Sequence, residues 1–289
     1  MIVTELRVYP VKSLGGATVT AAGVEPQGLS GDRRWCLVDE GGEVVTAREC
    51  HALLRLTAEV VDEDTIRVTD RADGASILVD TPLGLSPVPI SLSRLPFASP
   101  ADVDVGEWIG ERVGRRLRLV WQEDPASRPV SGAHGGQPGD LLSMADTGPL
   151  LLASQASMAR LNEWVAQGAG SPDPTDLDPD DLSDPTAPPV AEPLDILRFR
   201  PNVVVDGEEP FAEDAWDTVR IGDVDLRRTE LCDRCVMTTI DPVTLAGGKE
   251  PIRTLARHRR WDGNTWFGVR LLPLGGGTLR VGDEVVPGL

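Results

Sequence analysis

The chain breaks into short extended runs, and this punctuation limits its fold more than any other feature. Ile2–Val8, Arg34–Val38 and Val44–Arg48 are apolar or alternating stretches parted by glycine-rich turns such as Gly41-Gly42. Leu54–Val61 and Thr65–Thr69 flank the acidic turn Asp62-Glu63-Asp64, a pattern that predicts a hairpin. The same pattern returns late, in Val203–Asp206, Thr218–Arg228 and Thr278–Val286. Two of these late stretches echo each other, Val219–Val224 and Leu279–Val285, each reading as strand, Gly-Asp turn, strand.

Helical periodicity is confined to three places. Val105–Leu117 carries one apolar face through Trp108, Ile109 and Val113, with Asp104 as the expected cap and Glu107 in the capping-box position. The strand candidate Leu150–Ala153 runs into a second helix at about Ser154–Gln167, striped by Met158, Leu161 and Val165. Pro251–Arg259 is a short basic helix with proline in its first turn. Many short strands and about three helices predict a mainly β chain with a few helices (α+β), built on barrels rather than on a parallel βαβ sheet.

The Gly-, Pro- and Ser-rich loop Asp124–Gly139 divides the chain into units expected at 1–123 and 140–289. Inside the second, residues 168–195 read as an acidic, proline-rich insertion, with too few apolar side chains to fold alone and expected to be a flexible surface segment.

The formal net charge is -18, which excludes binding to nucleic acid or anionic membranes through bulk cationic surface. Seven of the acids lie between Ser171 and Pro193, yet the remainder is still acidic, so any cluster of Arg and Lys is informative. No apolar run approaches the roughly 20 residues of a membrane span. The N-terminus has no basic stretch followed by an apolar one, so a cytoplasmic location is expected. The four cysteines, Cys36, Cys50, Cys232 and Cys235, are too few for a disulfide scaffold and read as reduced thiols.

Cys232-Asp233-Arg234-Cys235 is the densest chemical constellation. By spacing it is ambiguous. Structural zinc needs about four ligands, and only Cys36, Cys50 and His51 are on offer as extras. A thioredoxin-type pair opens a helix, whereas this one precedes β-branched residues and a proline. Two small buried residues in a barrel satisfy the spacing equally well.

The surrounding motifs are more specific. Cys235-Val236-Met237-Thr238-Thr239-Ile240-Asp241-Pro242, followed by Glu250–Leu255, resembles the signature of the MOSC family, and more closely its amidoxime-reducing branch. Tyr9-Pro10-Val11-Lys12-Ser13, Gly31–Trp35, Val45–Arg48, Arg198–Val203, Ala212–Asp217, Ile221–Val224 and Leu279–Asp283 match in family order. The resemblance spans nearly the whole chain, apart from loops near 124–139 and 168–195.

That resemblance implies an N-terminal β-barrel domain followed by a MOSC β-barrel domain, with a molybdenum cofactor (Mo-molybdopterin) held between them. It implies Cys235 as metal ligand and catalytic centre; thiolate is a soft donor suited to such a metal. Arg234 is expected beside it, favouring the ligating thiolate, with Cys232 as a buried supporting thiol. Lys12, Ser13, Arg33, Arg200 and Asn202 match positions that hold the cofactor, and the helix start at Ser154 offers free N–H groups for an anion. The implied activity is reduction of small N-hydroxylated compounds. No cysteines remain for an iron–sulfur cluster, so electrons are expected from a separate reductase or electron-transfer protein. A carrier that binds the cofactor, or a sulfur on Cys235, without turnover is the alternative. His51, His134 and His258 match no ligand position and are expected to face solvent. Asp241 is expected either to cap the turn that follows it or to face the cofactor.

Overall fold

The computed structural model describes residues 1–168 and 192–288. The insertion expected at 168–195 therefore lies almost wholly outside the described residues. The described chain is mainly β, with three α-helices: α1 (Val103–Val113), α2 (Gln155–Gly168) and α3 (Ile252–His258).

The described strands form one large sheet and three small ones. The large sheet runs in the order Ala17–Val19, Val3–Val8, Val203–Val205, Leu150–Ser154, Asn264–Pro273, Val224–Asp233, Thr218–Ile221, Val285–Gly288. Among the described strands of this sheet only Leu150–Ser154 and Val203–Val205 pair in parallel. The first small sheet joins Val88–Leu92, Leu95–Pro100, Arg118–Trp121, Trp35–Val38 and Val44–Val45. The expected hairpin forms as Leu56–Val60 against Thr65–Asp70, extended by Ser76–Asp80.

The sheets do not divide where the chain does. Val3–Val8 pairs antiparallel with Val203–Val205, and Ala21–Glu25 pairs with Gly277–Arg280. Val3, Leu6, Val8, Val24 and Leu29 accordingly share a core with Leu152, Val203, Leu226, Val269 and Leu279. The other large core holds Val11, Leu14, Trp35, Leu53, Leu56, Ile109 and Trp121, and it also takes in Ile240, with Met237 packed against it. The segment just after Cys235 is thus anchored in the N-terminal core, while the strand leading to Cys235 belongs to the large sheet.

Several elements depart from expectation. Helix α1 starts two residues earlier, with Asp102 at its N-cap and Asp104 inside the first turn, and the Asp102 carboxylate makes no capping bond to the backbone. It stops at Gly114, whose φ of 70° needs a residue without a Cβ penalty. The two Gly-Asp echoes also diverge. Thr218–Ile221 and Val224–Asp233 form a true hairpin. Gly277–Arg280 and Val285–Gly288 instead pair with Ala21–Glu25 and with Thr218–Ile221, because the turn between them opens onto the N-terminal strand.

The central strand Asn264–Pro273 is absent from the sequence reading. Gly268 interrupts its apolar run with φ 76°, and a Cβ there would lie 2.7 Å from the Leu152 carbonyl oxygen. The bulge breaks the alternation that marks a strand, while letting two backbones approach closely.

Candidate functional site

A cavity of about 270 Å³ opens where the two cores meet. Lys12, Ser13, Arg33, Arg200, Asn202, Arg234 and Cys235 all line it, so seven of the eight residues proposed from sequence converge. Ser154 does not. Its hydroxyl accepts from the Ser157 N–H at 3.0 Å and donates to the Ser157 hydroxyl, which in turn reaches Glu213 at 2.7 Å. Ser154 is a buried helix cap tied to a buried carboxyl, and burial pushes that Glu213 carboxyl above its usual range. The N–H groups of Ala156 and Ser157 at the start of α2 are engaged by Asp206 and Ser154, so this helix start, expected to hold an anion, lies outside the cavity lining and is capped by the protein.

Three of the seven described non-glycine residues with positive φ line the same cavity. Ser13, Arg33 and Arg200 have φ of 72°, 50° and 56°, the left-handed region that side chains with a Cβ avoid. Each costs about 1–3 kcal/mol, and such strain concentrates where ligand-facing side chains must be aimed. Here the flanking structure imposes it. Val11 and Leu14 are fully buried on either side of Lys12-Ser13, the Lys12 N–H donates to the Trp35 carbonyl, and the Arg33 N–H donates to the Tyr9 carbonyl.

Asn202 is the hub of a buried network. Its Nδ2 donates to the Arg7 carbonyl at 3.1 Å and to Asp32 Oδ1 at 3.0 Å. Its Oδ1 accepts from Arg33 Nη1 at 2.9 Å and from the Leu151 N–H at 3.2 Å. An amide has two donors and two lone pairs, so Asn202 is saturated by the protein. It shapes the wall and aims Arg33 rather than offering a free polar group.

The cavity is cationic in an acidic protein. Lys12, Arg33, Arg48, Arg198, Arg200, Arg234 and Arg270 line it, against the two carboxylates Asp146 and Asp233. Arg198 Nε, Arg200 Nη2 and Arg234 Nε are buried without a partner among the described residues. Burial pushes the Arg200 guanidinium down to about 10, with Tyr9 countering and Arg33 adding to the shift. Its charge lies over the Tyr9 ring at 4.3 Å rather than on a carboxylate. Unpaired buried N–H groups are costly, and a polyanionic ligand with polar ring edges would satisfy them.

Cys232 is a buried thiol, as expected, but Arg234 does not stand beside Cys235. Cys235 is exposed at the cavity mouth, and its neighbouring guanidinium is Arg48, whose Nε donates to Sγ at 3.4 Å. Arg234 turns instead to Cys232, donating from Nη1 to Sγ at 2.7 Å and from Nη2 to the Phe199 carbonyl at 2.9 Å. Cys232 also accepts from Arg270 Nε at 3.4 Å. Cys232 is buried near the end of the strand Val224–Asp233, and Arg234, held against Phe199, keeps its guanidinium on that inner thiol. Arg48 lies within the Val45–Arg48 match, but nothing in the sequence pairs it with Cys235.

Further residues enter only through tertiary structure. Asp146 accepts from Lys12 Nζ and, at 2.8 Å, from Arg48 Nη2, and Lys12 foremost among its neighbours holds that carboxyl well below the usual range. The segment before it is pinned by Arg128, a buried guanidinium donating to the carbonyls of Ser143 and Ala145. Asp241 takes the capping role, accepting from the N–H groups of Val243 and Thr244, and also pairs with Arg198 at 2.6 Å. His134 is half-buried against Glu230 at 3.0 Å rather than free in solvent, while His51 and His258 are exposed as expected, His258 stacking on Trp164. Among the described residues no group of three or more His, Cys, Asp or Glu side chains forms a cage for a bare metal ion.

Thiol accessibility gives a direct check. Cys36 is fully buried, and burial pushes its thiol up to about 12. Because thiolate is the nucleophile, iodoacetamide is expected to alkylate Cys235 first in the native protein and Cys36 only after denaturation, as read by peptide mass spectrometry. Native labelling of Cys36 ahead of Cys235 would contradict this arrangement.

Comparison with known proteins agrees with the architecture. The model of the MOSC domain matches residues 139–286, and that of the MOSC N-terminal beta barrel domain matches 1–116. The chain belongs to the MOSC family. Its mainly β fold is an N-terminal barrel domain followed by the MOSC domain. It is similar to mitochondrial amidoxime-reducing component 1 of Homo sapiens, 31% identical over 98% of this chain and 82% of that protein. The Mus musculus protein of the same name is 29% identical over 98% of this chain and 81% of its own length. A molybdenum cofactor sulfurase of Danio rerio is 29% identical over 98% of this chain, which corresponds to 34% of that longer protein. No described helix of this MOSC chain is long and apolar enough to cross a membrane.

Proposed function

We propose that this MOSC protein is a molybdenum-cofactor-dependent reductase of small N-hydroxylated compounds, supplied with electrons by a separate reductase or electron-transfer protein. The observation that carries the proposal is an exposed thiol, Cys235, at the mouth of a cation-lined cavity whose walls hold unpartnered buried guanidinium nitrogens among the described residues. That donor set fits one soft ligand to a metal whose other ligands come from a phosphorylated pterin. The similarity to proteins named for amidoxime reduction supports the substrate class.

In this reading Cys235 ligates molybdenum, and Lys12, Ser13, Arg33, Arg200 and Arg234 hold the cofactor's phosphate and pterin. The strained backbone at Ser13, Arg33 and Arg200 aims those groups before anything binds. Guanidinium forks suit phosphate, and Lys12 adds a compact charge. The bound cofactor supplies two-electron redox chemistry, while the protein supplies ligation, orientation and a polar entrance.

The test uses the full chain produced in a molybdenum-replete host. Near-stoichiometric molybdenum, pterin fluorescence after oxidation, and reduction of an amidoxime with reduced viologen are the expected results. The same protein with NADH alone is expected to give no turnover, and strong NADH-dependent activity would contradict the separate electron source. Bound cofactor without turnover would favour the carrier reading, to which the similarity to cofactor sulfurases also points. Protein free of molybdenum and pterin would refute both.

A further inference from the structure

We propose that Arg48 is a catalytic residue that holds the departing oxygen of an N-hydroxylated substrate beside the Cys235 sulfur, and that Asp146 is the positioning residue that aims it. The proposal rests on the function proposed above and adds a specific role for this guanidinium.

Arg48 reaches the site from the N-terminal part of the chain. Val45 and Ala47 are buried at 1% and 0% exposure, so the intervening Thr46 and the following Arg48 turn to the cavity. Of the described cationic side chains lining that cavity, Arg48 alone is exposed. It stands at the mouth, where a substrate arrives, while the others form the walls.

Two bonds fix the plane of its guanidinium. Nε donates to Cys235 Sγ at 3.4 Å, and Nη2 donates to Asp146 Oδ2 at 2.8 Å. Asp146 is itself held from its other oxygen by Lys12 Nζ, which also donates to the Met144 carbonyl at 3.1 Å. The chain of contacts therefore runs from a buried lysine through a carboxylate to a guanidinium and ends on the sulfur. Nη1 is left without a protein hydrogen bond among the described residues, at a side chain 42% exposed. A fixed fork with one free end next to the reactive sulfur is the arrangement needed to receive a small polar atom.

The chemistry gives that free end a task. Reduction takes one N-hydroxylated substrate, two electrons and two protons to one N–H product and one water. The N–O bond breaks, an N–H bond forms with one proton, and the oxygen leaves as water with the other. The electrons come from the separate carrier protein and the protons from solvent at the open mouth. Negative charge builds on the oxygen as the N–O bond lengthens, and a preorganised donor aimed at that atom stabilises the charge without giving up a proton. Arg48 stays charged throughout and is unchanged at the end of the cycle.

The experiment compares wild type with Arg48→Gln, Arg48→Lys and Arg48→Ala, each as holoprotein with molybdenum and pterin measured per chain. Arg48→Gln is expected to keep its cofactor and to lose kcat for benzamidoxime by about 100-fold, the size found when one such donor is removed. Benzamidoxime binding to the oxidised protein, measured by calorimetry without reductant, is expected to weaken about tenfold, in line with the loss of one hydrogen bond to a charged group. Arg48→Lys should recover part of kcat, and millimolar guanidinium should partly restore Arg48→Ala. Asp146→Asn is expected to lower kcat by a smaller factor and to add little on top of Arg48→Gln, since both act through one fork.

Wild-type kcat and binding in fully loaded Arg48→Gln would overturn the proposal. So would loss of the cofactor from all three Arg48 variants, which would make the residue a cofactor holder. Multiplicative losses in the double variant would overturn the role of Asp146. Wild-type protein that carries molybdenum yet reduces no N-hydroxy compound would refute the function itself, and with it this role. That outcome is distinguishable because it shows before any variant is made.

Discussion

Cys235→Ala is expected to abolish N-hydroxy reduction with reduced viologen, by at least about 100-fold. Residues that merely orient a metal's ligands already cost 10- to 100-fold when changed, and Cys235 offers the only exposed thiol in the cavity among the described residues. Cys232→Ala should behave differently. That thiol is buried and accepts from Arg234 and Arg270, so its loss loosens two guanidiniums of the wall without removing the ligand. Its expected effect is partial loss of molybdenum with measurable turnover. The check is molybdenum per chain alongside kcat for both variants. A Cys235→Ala protein with wild-type metal and rate would remove the basis of the functional proposal, and a Cys232→Ala protein as dead as Cys235→Ala would show that the ligand had been assigned to the wrong thiol.

Asn202→Ala is expected to be the most destabilising single change near the site, by about 3–5 kcal/mol. Breaking a buried hydrogen-bonded charge network falls in that range. The alanine would strip a donor from the Asp32 carboxylate, which is 2% exposed, and would remove the side-chain partner of the Leu151 N–H and the Arg7 carbonyl in the large sheet. Arg33 would keep Asp32 as its partner but lose the bond that sets its direction. Urea unfolding of the isolated protein measures the change without reference to any cofactor. A loss below about 1 kcal/mol, the net worth of one ordinary hydrogen bond, would show that the network is not what joins these strands.

The residues differ in how far they could be read in advance. The alternation of Leu54–Val61 and Thr65–Thr69 around an acidic turn was enough for a hairpin, because both partners are local and the turn closes them. The stripe Met158, Leu161, Val165 was enough for α2, whose buried face carries those residues. The ordered motifs were enough to bring Lys12, Ser13, Arg33, Arg200, Asn202, Arg234 and Cys235 to one cavity. Failures came where a local signal had two physical solutions. Ser154 at a helix start can face an anion or cap its own helix, and the burial of Glu213 beneath it selects the cap. Gly268 in an apolar run can end a strand or bulge one, and the close approach of Leu152 selects the bulge.

By itself, then, the amino-acid sequence determined the class of fold, the existence of most local elements and which thiol to single out. Periodicity and turn chemistry act over a few residues and need no knowledge of the rest of the chain. Only the tertiary structure decided that Val3–Val8 completes the C-terminal sheet, that Arg48 rather than Arg234 stands beside Cys235, and that Asp146 ties that guanidinium to Lys12. Those outcomes depend on pairing between residues far apart in the chain. A long side chain points where packing leaves it room, and Phe199 and Cys232 draw the Arg234 guanidinium inward while the burial of Val45 and Ala47 turns Arg48 out to the mouth.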